Sequence, residues 1–263
     1  MRAGRQRAVL LTAFALLAAG AAGGAVAGGA ERCGVVRVRY AGTQPMLLWN
    51  RAMLHALAAE DESLIERLEE TNATQELLIA DGAVRLETRA LTIEQRVTTE
   101  GAMPTVRAYL KPVRQTEWLL PDGSRVLRDS GGSGARRSAG PAPVPVGLGM
   151  EALGLGADPA GMLDARPTGA EGIVAGRRCR WFAGERAQGG YALRYRGCMA
   201  EIAGRQVALE LRIEQAGAGL GSVRPFEMRA VSVDAGVCVD AAELQPPPGS
   251  AAAAGAAGGG HGR

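Results

Sequence analysis

The chain has 263 residues, 47% of them hydrophobic and 4% aromatic, and its 30 basic against 27 acidic side chains give a net charge of +3. Arg2, Arg5 and Arg7 account for the whole of that excess, so the chain beyond residue 7 is neutral. Neutrality excludes the net basic surface that a nucleic-acid-binding domain needs.

Residues 1–27 have the three parts of a secretory signal peptide. Residues 1–7 carry arginines and no acid, residues 8–22 are almost wholly apolar, and Ala25-Val26-Ala27 offers a cleavage site of small residues. The apolar run is shorter than the roughly 20 residues that span a bilayer. We therefore predict export to the periplasm or the exterior, and a soluble mature protein without a transmembrane segment.

Residues 28–129 are predicted to form an N-terminal part that begins with a strand and a helical segment. A short apolar alternation predicts a strand over residues 35–41, and leucines at helical spacing predict a helix over residues 47–70. Asp61 near the middle of the second range leaves open a division into two short helices.

The remainder of the N-terminal part has the alternation that is typical of strands. Asp81-Gly82 and residues 121–124 are predicted as tight turns between these strands. Residues 130–148 then collect Gly, Ser, Pro and Ala, which predicts a flexible linker.

Residues 149–246 are predicted to form a C-terminal antiparallel meander. Four strands are predicted, at residues 172–183, 191–202, 206–215 and 225–233. Ala203-Gly204 fits a two-residue hairpin turn between the second and the third strand. Residues 247–263 begin with prolines and continue with Ala and Gly, so we predict a disordered tail.

Four cysteines, an even number in an exported chain, predict two disulfides rather than a metal site or thiol catalysis. With Gln188-Gly189 at the tip of the first hairpin, Cys179 lies directly opposite Cys198, close enough for a bridge. Cys33 and Cys238 then pair by elimination, although four cysteines allow three connectivities.

The same hairpin register makes two further predictions. It sets Trp181 opposite Arg196, as a cation over a ring, and Phe182 opposite Tyr195, as an aromatic pair. Together with the other elements, it predicts an α+β protein, mainly antiparallel β, in which a curved, half-barrel-like meander sheet carries one N-terminal helix or helix pair.

The sequence contains no recognisable catalytic or ligand-binding motif. Its two histidines are His55, in the helical segment, and His261, in the tail, and neither has an obvious Ser or Asp partner. We therefore predict no catalytic residue, no cofactor and no metal site. A hydrolase that uses carboxylates alone stays open, because the separation of acids in space is invisible in a sequence.

The C-terminal part contains Ala175-Gly176-Arg177-Arg178-Cys179, then a hairpin with Cys198, then Ile202-Ala203-Gly204-Arg205 before an amphipathic strand. Over residues 172–246 this order resembles the LolA/LolB-like periplasmic half-barrel proteins, with Ala203-Gly204 in place of an Asp-Gly turn and without the proline that follows it in many of them. The resemblance implies a curved sheet whose concave face is plugged by a helix and binds an acyl chain or another apolar ligand. No ligand residue of that family can be placed on this sequence.

These observations predict an exported, non-enzymatic binding protein, a carrier or sensor of an apolar, lipid-like ligand in the bacterial envelope. Two alternatives remain. One is a structural or envelope-assembly protein that acts through protein–protein contacts, and the other is the carboxylate-dependent hydrolase.

Overall fold

The structure, a computed structural model, describes residues 30–99, 103–130, 135–138, 165–188, 191–217 and 223–248. The predicted signal peptide, most of the predicted linker and the tail after residue 248 lie outside these ranges. Within them, no helix is long and apolar enough to cross a bilayer.

In the residues that the structure describes, eleven antiparallel strands form one curved sheet, which confirms the predicted fold class. In chain order they are β1 (Glu31–Gly42), β2 (Ala73–Ala80), β3 (Ala83–Thr98), β4 (Thr105–Leu119), β5 (Arg125–Asp129), β6 (Ala135–Ser138), β7 (Arg166–Val174), β8 (Arg177–Gln188), β9 (Tyr191–Ile202), β10 (Arg205–Gly217) and β11 (Phe226–Asp240). Their spatial order is β6-β5-β4-β3-β2-β1-β11-β10-β9-β8-β7. The sheet therefore consists of an N-terminal meander (β1–β6) and a C-terminal meander (β7–β11), joined where β1 pairs with β11.

The segment predicted as one helix or two forms two short helices, α1 (Arg51–Leu57) and α2 (Glu62–Glu70). A 3₁₀ turn at Pro45–Leu48 precedes them. Ala59 and Glu60 break the helix with positive φ values of 52° and 63°. Asp61 then starts α2, because its side chain accepts a hydrogen bond from the backbone N–H of Ser63. The division into two helices is confirmed.

The core lies along one face of the sheet and runs through both meanders. One apolar cluster includes Leu77 and Leu86 from the N-terminal meander together with Leu209 and Phe226 from the C-terminal one. Burial of these side chains is the main force that holds the meanders together, at about 25 cal/mol per Å² of apolar surface removed from water.

The two ends of this core are closed differently. At one end the helices pack Ile65 and Leu68 against Ile93 of β3. At the other end the β2–β3 turn meets the start of β10, where the guanidinium of Arg205 donates to the carbonyl oxygen of Gly82.

Three two-residue turns have positive φ at both positions: Asp81-Gly82, Ala175-Gly176 and Ala203-Gly204. The first and third were predicted. The second was missed, so the single strand predicted over residues 172–183 is wrong, and β7 and β8 meet there as a hairpin. Alanine rarely adopts positive φ, so an Ala-Gly pair is a weak turn signal within an otherwise strand-like segment.

The predicted linker over residues 130–148 is also wrong in part, because Ala135–Ser138 forms β6 and pairs with β5. The sequence of this short edge strand has no apolar alternation that would predict it, and the strand is held by its backbone pairing with β5 and by the side chain of Arg137. The guanidinium of Arg137 donates to the carboxylate of Asp122 and the hydroxyl of Ser124 in the β4–β5 turn.

Candidate functional site

Both predicted disulfides are present. Cys179–Cys198 is buried between β8 and β9, with a Cα–Cα distance of 5.4 Å. Cys33–Cys238 is exposed and ties β1 to β11, at the joint between the two meanders. Both bonds hold strands in place, and in the described residues no cysteine is free.

The β8–β9 register is shifted by two residues from the predicted one. Gln188 pairs with Tyr191, so Trp181 and not Cys179 lies directly opposite Cys198. The disulfide therefore runs diagonally between the two strands, and its Cα–Cα distance of 5.4 Å lies within the usual range for a disulfide.

The shift has different consequences for the two side-chain pairs. Arg196 is no longer opposite Trp181, yet its guanidinium carbon lies 4.2 Å from the ring centroid, so the predicted cation–π contact exists on the diagonal. The predicted pairing of Phe182 with Tyr195 is wrong. Tyr195 instead covers Gly184, where an added Cβ would come within 2.5 Å of the tyrosine hydroxyl.

The hairpin of β3 and β4 extends beyond the rest of the sheet. In the described residues, β2 pairs with β3 as far as Arg89, and β5 pairs with β4 from Gln115 onward. Residues 90–98 and 105–114 pair mainly with each other, and we call this segment the finger. Nine residues of strand span about 30 Å, at about 3.3 Å per residue.

The base of the finger is covered by the helical segment. The backbone N–H of Leu91 donates to the side-chain oxygen of Gln44, at 2.8 Å. Further along, the side-chain amide of Gln95 donates to the carbonyl oxygens of Ala56 and Leu57 at the end of α1. Cover on this face of the hairpin therefore reaches as far as Gln95.

Beyond Gln95 the apolar face of the finger is open to solvent. Val97 lies opposite Val106, and their side chains are 62% and 45% exposed. Met103 follows at the tip and is 79% exposed. The apolar stripe that begins under the helices thus continues into exposed surface at the end of a projecting hairpin.

The other face of the finger is polar. Arg96 lies over the ring of Tyr109, 5.4 Å from its centroid. Glu94 accepts hydrogen bonds from Lys111 and Arg96, which hold the pKa of its carboxyl below the usual range. The finger is therefore amphipathic, with apolar side chains on one face and paired charges on the other.

A buried carboxylate organises the outer face of the N-terminal meander, which is the face opposite the main core. Glu87 is 3% exposed and contacts Arg85, Arg89 and Arg114, the last two at 2.7 Å. Burial raises the pKa of Glu87, but hydrogen bonds from Arg114 and Arg89 and the charge of Arg85 outweigh it, so the net pKa is lowered. We call these four side chains the Glu87 network.

The chain returns over this face at its C-terminal end. A 3₁₀ turn at Ala241–Leu244 is followed by Pro246–Pro248, and the indole N–H of Trp118 donates to the carbonyl oxygen of Glu243 at 3.1 Å. We call residues 241–248 the strap. Between the strap and β3–β5 lies a groove of about 630 Å³, the outer groove. It is lined by Arg85, Arg114, Thr116, Trp118, Arg128, Ser130, Ala242, Glu243, Gln245 and Pro246–Pro248.

A second groove, of about 600 Å³, lies on the C-terminal meander and includes two carboxylates, Glu171 and Glu201. Glu171 lies opposite Arg180 across β7 and β8, an arrangement typical of a cross-strand charge pair. His55 lies 3.3 Å from Glu62, in a half-exposed cluster on the helices. These positions resemble solvated charge pairs more than a hydrolytic dyad.

Among the described residues, one group of three side chains brings possible metal-ligand atoms within 4.8 Å of one another: Glu31, Cys33 and Cys238. Both sulfurs are joined in the disulfide, so neither is available as a thiolate ligand.

Comparisons with protein-family models, with curated proteins and with solved structures found no match to this chain. The geometry of the finger and of the outer groove therefore carries the functional argument.

Proposed function

We propose that this chain is an exported, non-enzymatic binding protein of the bacterial envelope, a carrier or sensor of an apolar, lipid-like ligand. The observation that carries the proposal is the exposed apolar end of the finger, formed by Val97, Met103 and Val106. Single exposed apolar residues are ordinary on protein surfaces, but Val97 and Val106 lie opposite each other at the end of a projecting hairpin, an arrangement typical of a contact site.

The continuity of the apolar stripe supports a ligand with an apolar chain. Ile93 is buried under the helices, and Val97, four residues further along the same face, is exposed. A ligand lying along the finger tip would extend a buried apolar surface that already exists. Each methylene group so covered contributes about 0.8 kcal/mol.

Export is supported by two independent features. The N-terminal sequence has the parts of a signal peptide, and two disulfides suit an oxidising compartment. The resemblance to LolA/LolB-like proteins implies a curved sheet with a helix, and the acyl-chain ligand in this proposal is taken from that resemblance.

The test is a titration of the mature protein, purified from the periplasm without detergent, with the fluorescent fatty acid cis-parinaric acid. We expect saturable binding that is lost in the double variant Val97→Glu/Val106→Glu, because a charge cannot be buried against an acyl chain without a large penalty. Val231→Glu is the matched control, since Val231 is a strand valine with 61% exposure on the C-terminal meander.

A solvent extract of the same preparation, analysed by mass spectrometry, should contain lipid for the wild type and the Val231→Glu control. An extract without lipid, combined with no saturable binding of the fatty acid, would contradict the carrier function. Equal binding by the finger variant and the control would show that the finger is not the contact surface.

A protein partner is the second candidate, and the surface of the helical segment favours it. Trp49 and Met53 are 40% and 48% exposed, and Arg51 lies between them in the chain. Trp, Met and Arg are enriched in protein interfaces. A groove of about 170 Å³ next to Trp49 is floored by Leu54 and Ile65, and could accept one side chain.

This candidate predicts that Trp49→Ala/Met53→Ala removes a specific periplasmic cross-linking product while fatty-acid binding is unchanged. Loss of fatty-acid binding in that variant, with cross-linking intact, would instead assign the helical surface to the lipid-like ligand.

A further inference from the structure

The lining of the outer groove has more cationic side chains than carboxylates. Three arginines line it, Arg85, Arg114 and Arg128, together with a single carboxylate, Glu243. The chain beyond residue 7 is neutral, so this local excess reflects placement by the fold and not composition.

The three guanidinium groups differ in how far they are already engaged. Arg85 is buried and contacts three carboxylates, those of Glu76, Glu87 and Glu243. Arg114 is exposed and donates from one terminal nitrogen to Glu87, at 2.7 Å. Arg128 is exposed and has no carboxylate within ion-pair distance in the part of the chain that the structure describes. Arg114 and Arg128 therefore have donors left for a ligand.

The strand register brings these cations together at a cost. Arg89 lies directly opposite Arg114, and Arg128 lies opposite Thr116 on the neighbouring strand. Like charges opposite each other destabilise a sheet, and the single carboxylate of Glu87 is shared among three arginines. An additional anion in the groove would relieve this repulsion.

The remaining groups of the outer groove suit a small ligand with an anionic end. Ser130 and Thr116 offer hydroxyl groups, while Trp118 and Pro246–Pro248 form flat apolar walls. A guanidinium group presents its N–H donors as a planar fork, which matches the two oxygens of a carboxylate or phosphate.

We propose that the outer groove is a binding site for a small molecule that carries a carboxylate or phosphate group, held between Arg114 and Arg128 and covered by the strap. The site lies on the opposite face of the sheet from the main core. It is separate from the apolar contact proposed for the finger, so an experiment can contradict the proposal for one site and leave the proposal for the other intact.

The test is isothermal titration calorimetry of the mature protein with inorganic phosphate and, separately, with succinate. We expect saturable binding of at least one of these anions, and the preferred anion assigns the phosphate or the carboxylate class. The affinity should fall as NaCl is raised from low to physiological concentration, because salt screens an exposed ion pair.

Arg128→Gln should weaken the binding about tenfold, because it removes charge-assisted hydrogen bonds. The affinity of Arg128→Lys should lie between those of the wild type and Arg128→Gln, since a lysine retains the charge but lacks the planar fork of N–H donors. Arg177→Gln is the matched control, an exposed strand arginine on the C-terminal meander without an ion-pair partner among the described residues. It should bind within about twofold of the wild type.

Arg128 is exposed and has no ion-pair partner among the residues that the structure describes, so its replacement should leave the thermal unfolding curve unchanged, and a weaker affinity would then report on the site itself. The proposal is overturned if neither anion gives a saturable heat of binding. It is equally overturned if Arg128→Gln and Arg177→Gln bind alike.

Discussion

The two meanders use the same kind of charged side chains on their outer faces in opposite ways. On the C-terminal meander, the exposed Arg194 and Arg229 each have a carboxylate neighbour, Glu185 at 2.8 Å and the half-buried Glu210 at 3.3 Å. On the N-terminal meander, one buried carboxylate, Glu87, serves three arginines. Exposed ion pairs such as those of Arg194 and Arg229 contribute about 0–1 kcal/mol each to the free energy of unfolding. Removing one partner of a buried ion pair costs more, because it leaves the other charge buried without a partner.

The difference arises from what covers each face. The strap crosses the N-terminal meander and packs Leu244 into an apolar cluster with Leu78 of β2 and Val35 of β1. This cover excludes water from Arg85 and Glu87, which makes their interaction stronger and the loss of either partner costlier. The exposed arginines of the C-terminal meander keep their water. Burial, more than the number of ion pairs, therefore decides how much the charged side chains of a strand contribute to stability.

The largest expected effect concerns the joint between the meanders. Replacing Cys33 and Cys238 by Ser removes a cross-link over a separation of 205 residues, and the chain-entropy model predicts a loss of about 5 kcal/mol in the free energy of unfolding. The bond within the C-terminal meander has a separation of 19 residues, so Cys179→Ala/Cys198→Ala should lose less chain entropy, about 3 kcal/mol.

Urea denaturation of both variants and the wild type measures these losses. Removing the buried Cys179–Cys198 bond also loses packing contacts, which add to the loss of stability in that variant. The exposed Cys33–Cys238 bond loses no such contacts, so its variant measures the cross-link alone. Equal stability of the Cys33→Ser/Cys238→Ser variant and the wild type would mean that core packing alone holds the meanders together.

The next effect contrasts a buried with an exposed carboxylate. Glu87→Gln should lower the free energy of unfolding by about 3 kcal/mol, because it removes the buried charge that Arg85 contacts from within the sheet and leaves Arg85 with Glu76 and Glu243 only, among the described residues. Glu214→Gln is the control, since Arg212 retains Glu227 at 2.6 Å, and it should cost about 0–1 kcal/mol. Similar losses in the two variants would show that the Glu87 network is effectively solvated.

The lowered pKa of Glu87 predicts a dependence of stability on pH. A carboxyl group whose folded pKa is depressed contributes stability that is complete above the ordinary glutamate pKa, about 4.3, and is lost as the pH falls through the lower folded value. Between neutral pH and strong acid, the wild type should therefore lose more stability than Glu87→Gln. Thermal unfolding at a series of pH values measures this, and parallel curves for the two proteins would contradict it.

The smallest expected effect belongs to the diagonal contact on the C-terminal meander. Arg196→Gln removes the cation over Trp181 and should cost about 0.5–1 kcal/mol. Arg194→Gln, two residues away on the same face and paired with Glu185, should cost no more than that. Urea titrations measure the free energy of unfolding of both variants. An Arg196→Gln variant as stable as the wild type would show that the cation–π contact does not contribute to stability.

Local sequence patterns were sufficient for much of the fold. Asp81-Gly82 and Ala203-Gly204 gave two of the hairpin turns, and Asp61 marked the break between the helices. The missed turn at Ala175-Gly176 and the short strand β6 lacked such signals, because an alanine at positive φ and an edge strand held by its backbone leave little trace in side-chain pattern.

The candidate sites were harder to predict. The pairing of all four cysteines was predicted from a register that was wrong by two residues, and it held because a disulfide tolerates a diagonal as well as a direct neighbour. The finger was not predicted, because it is defined by the places where the neighbouring strands β2 and β5 end. The sequence of residues 90–114 contains no signal for those ends.

The sequence by itself determined the elements of this protein, because strand alternation, helix caps and most turns depend on residues a few positions apart. Only the tertiary structure decided which strand joins the two meanders, where the strap lies, and hence which charges are buried. Those features depend on contacts such as that of Arg85 with Glu243, whose residues are 158 positions apart in the chain. Contacts over such separations leave no periodic signal in a single sequence, since they are selected by packing of the whole sheet.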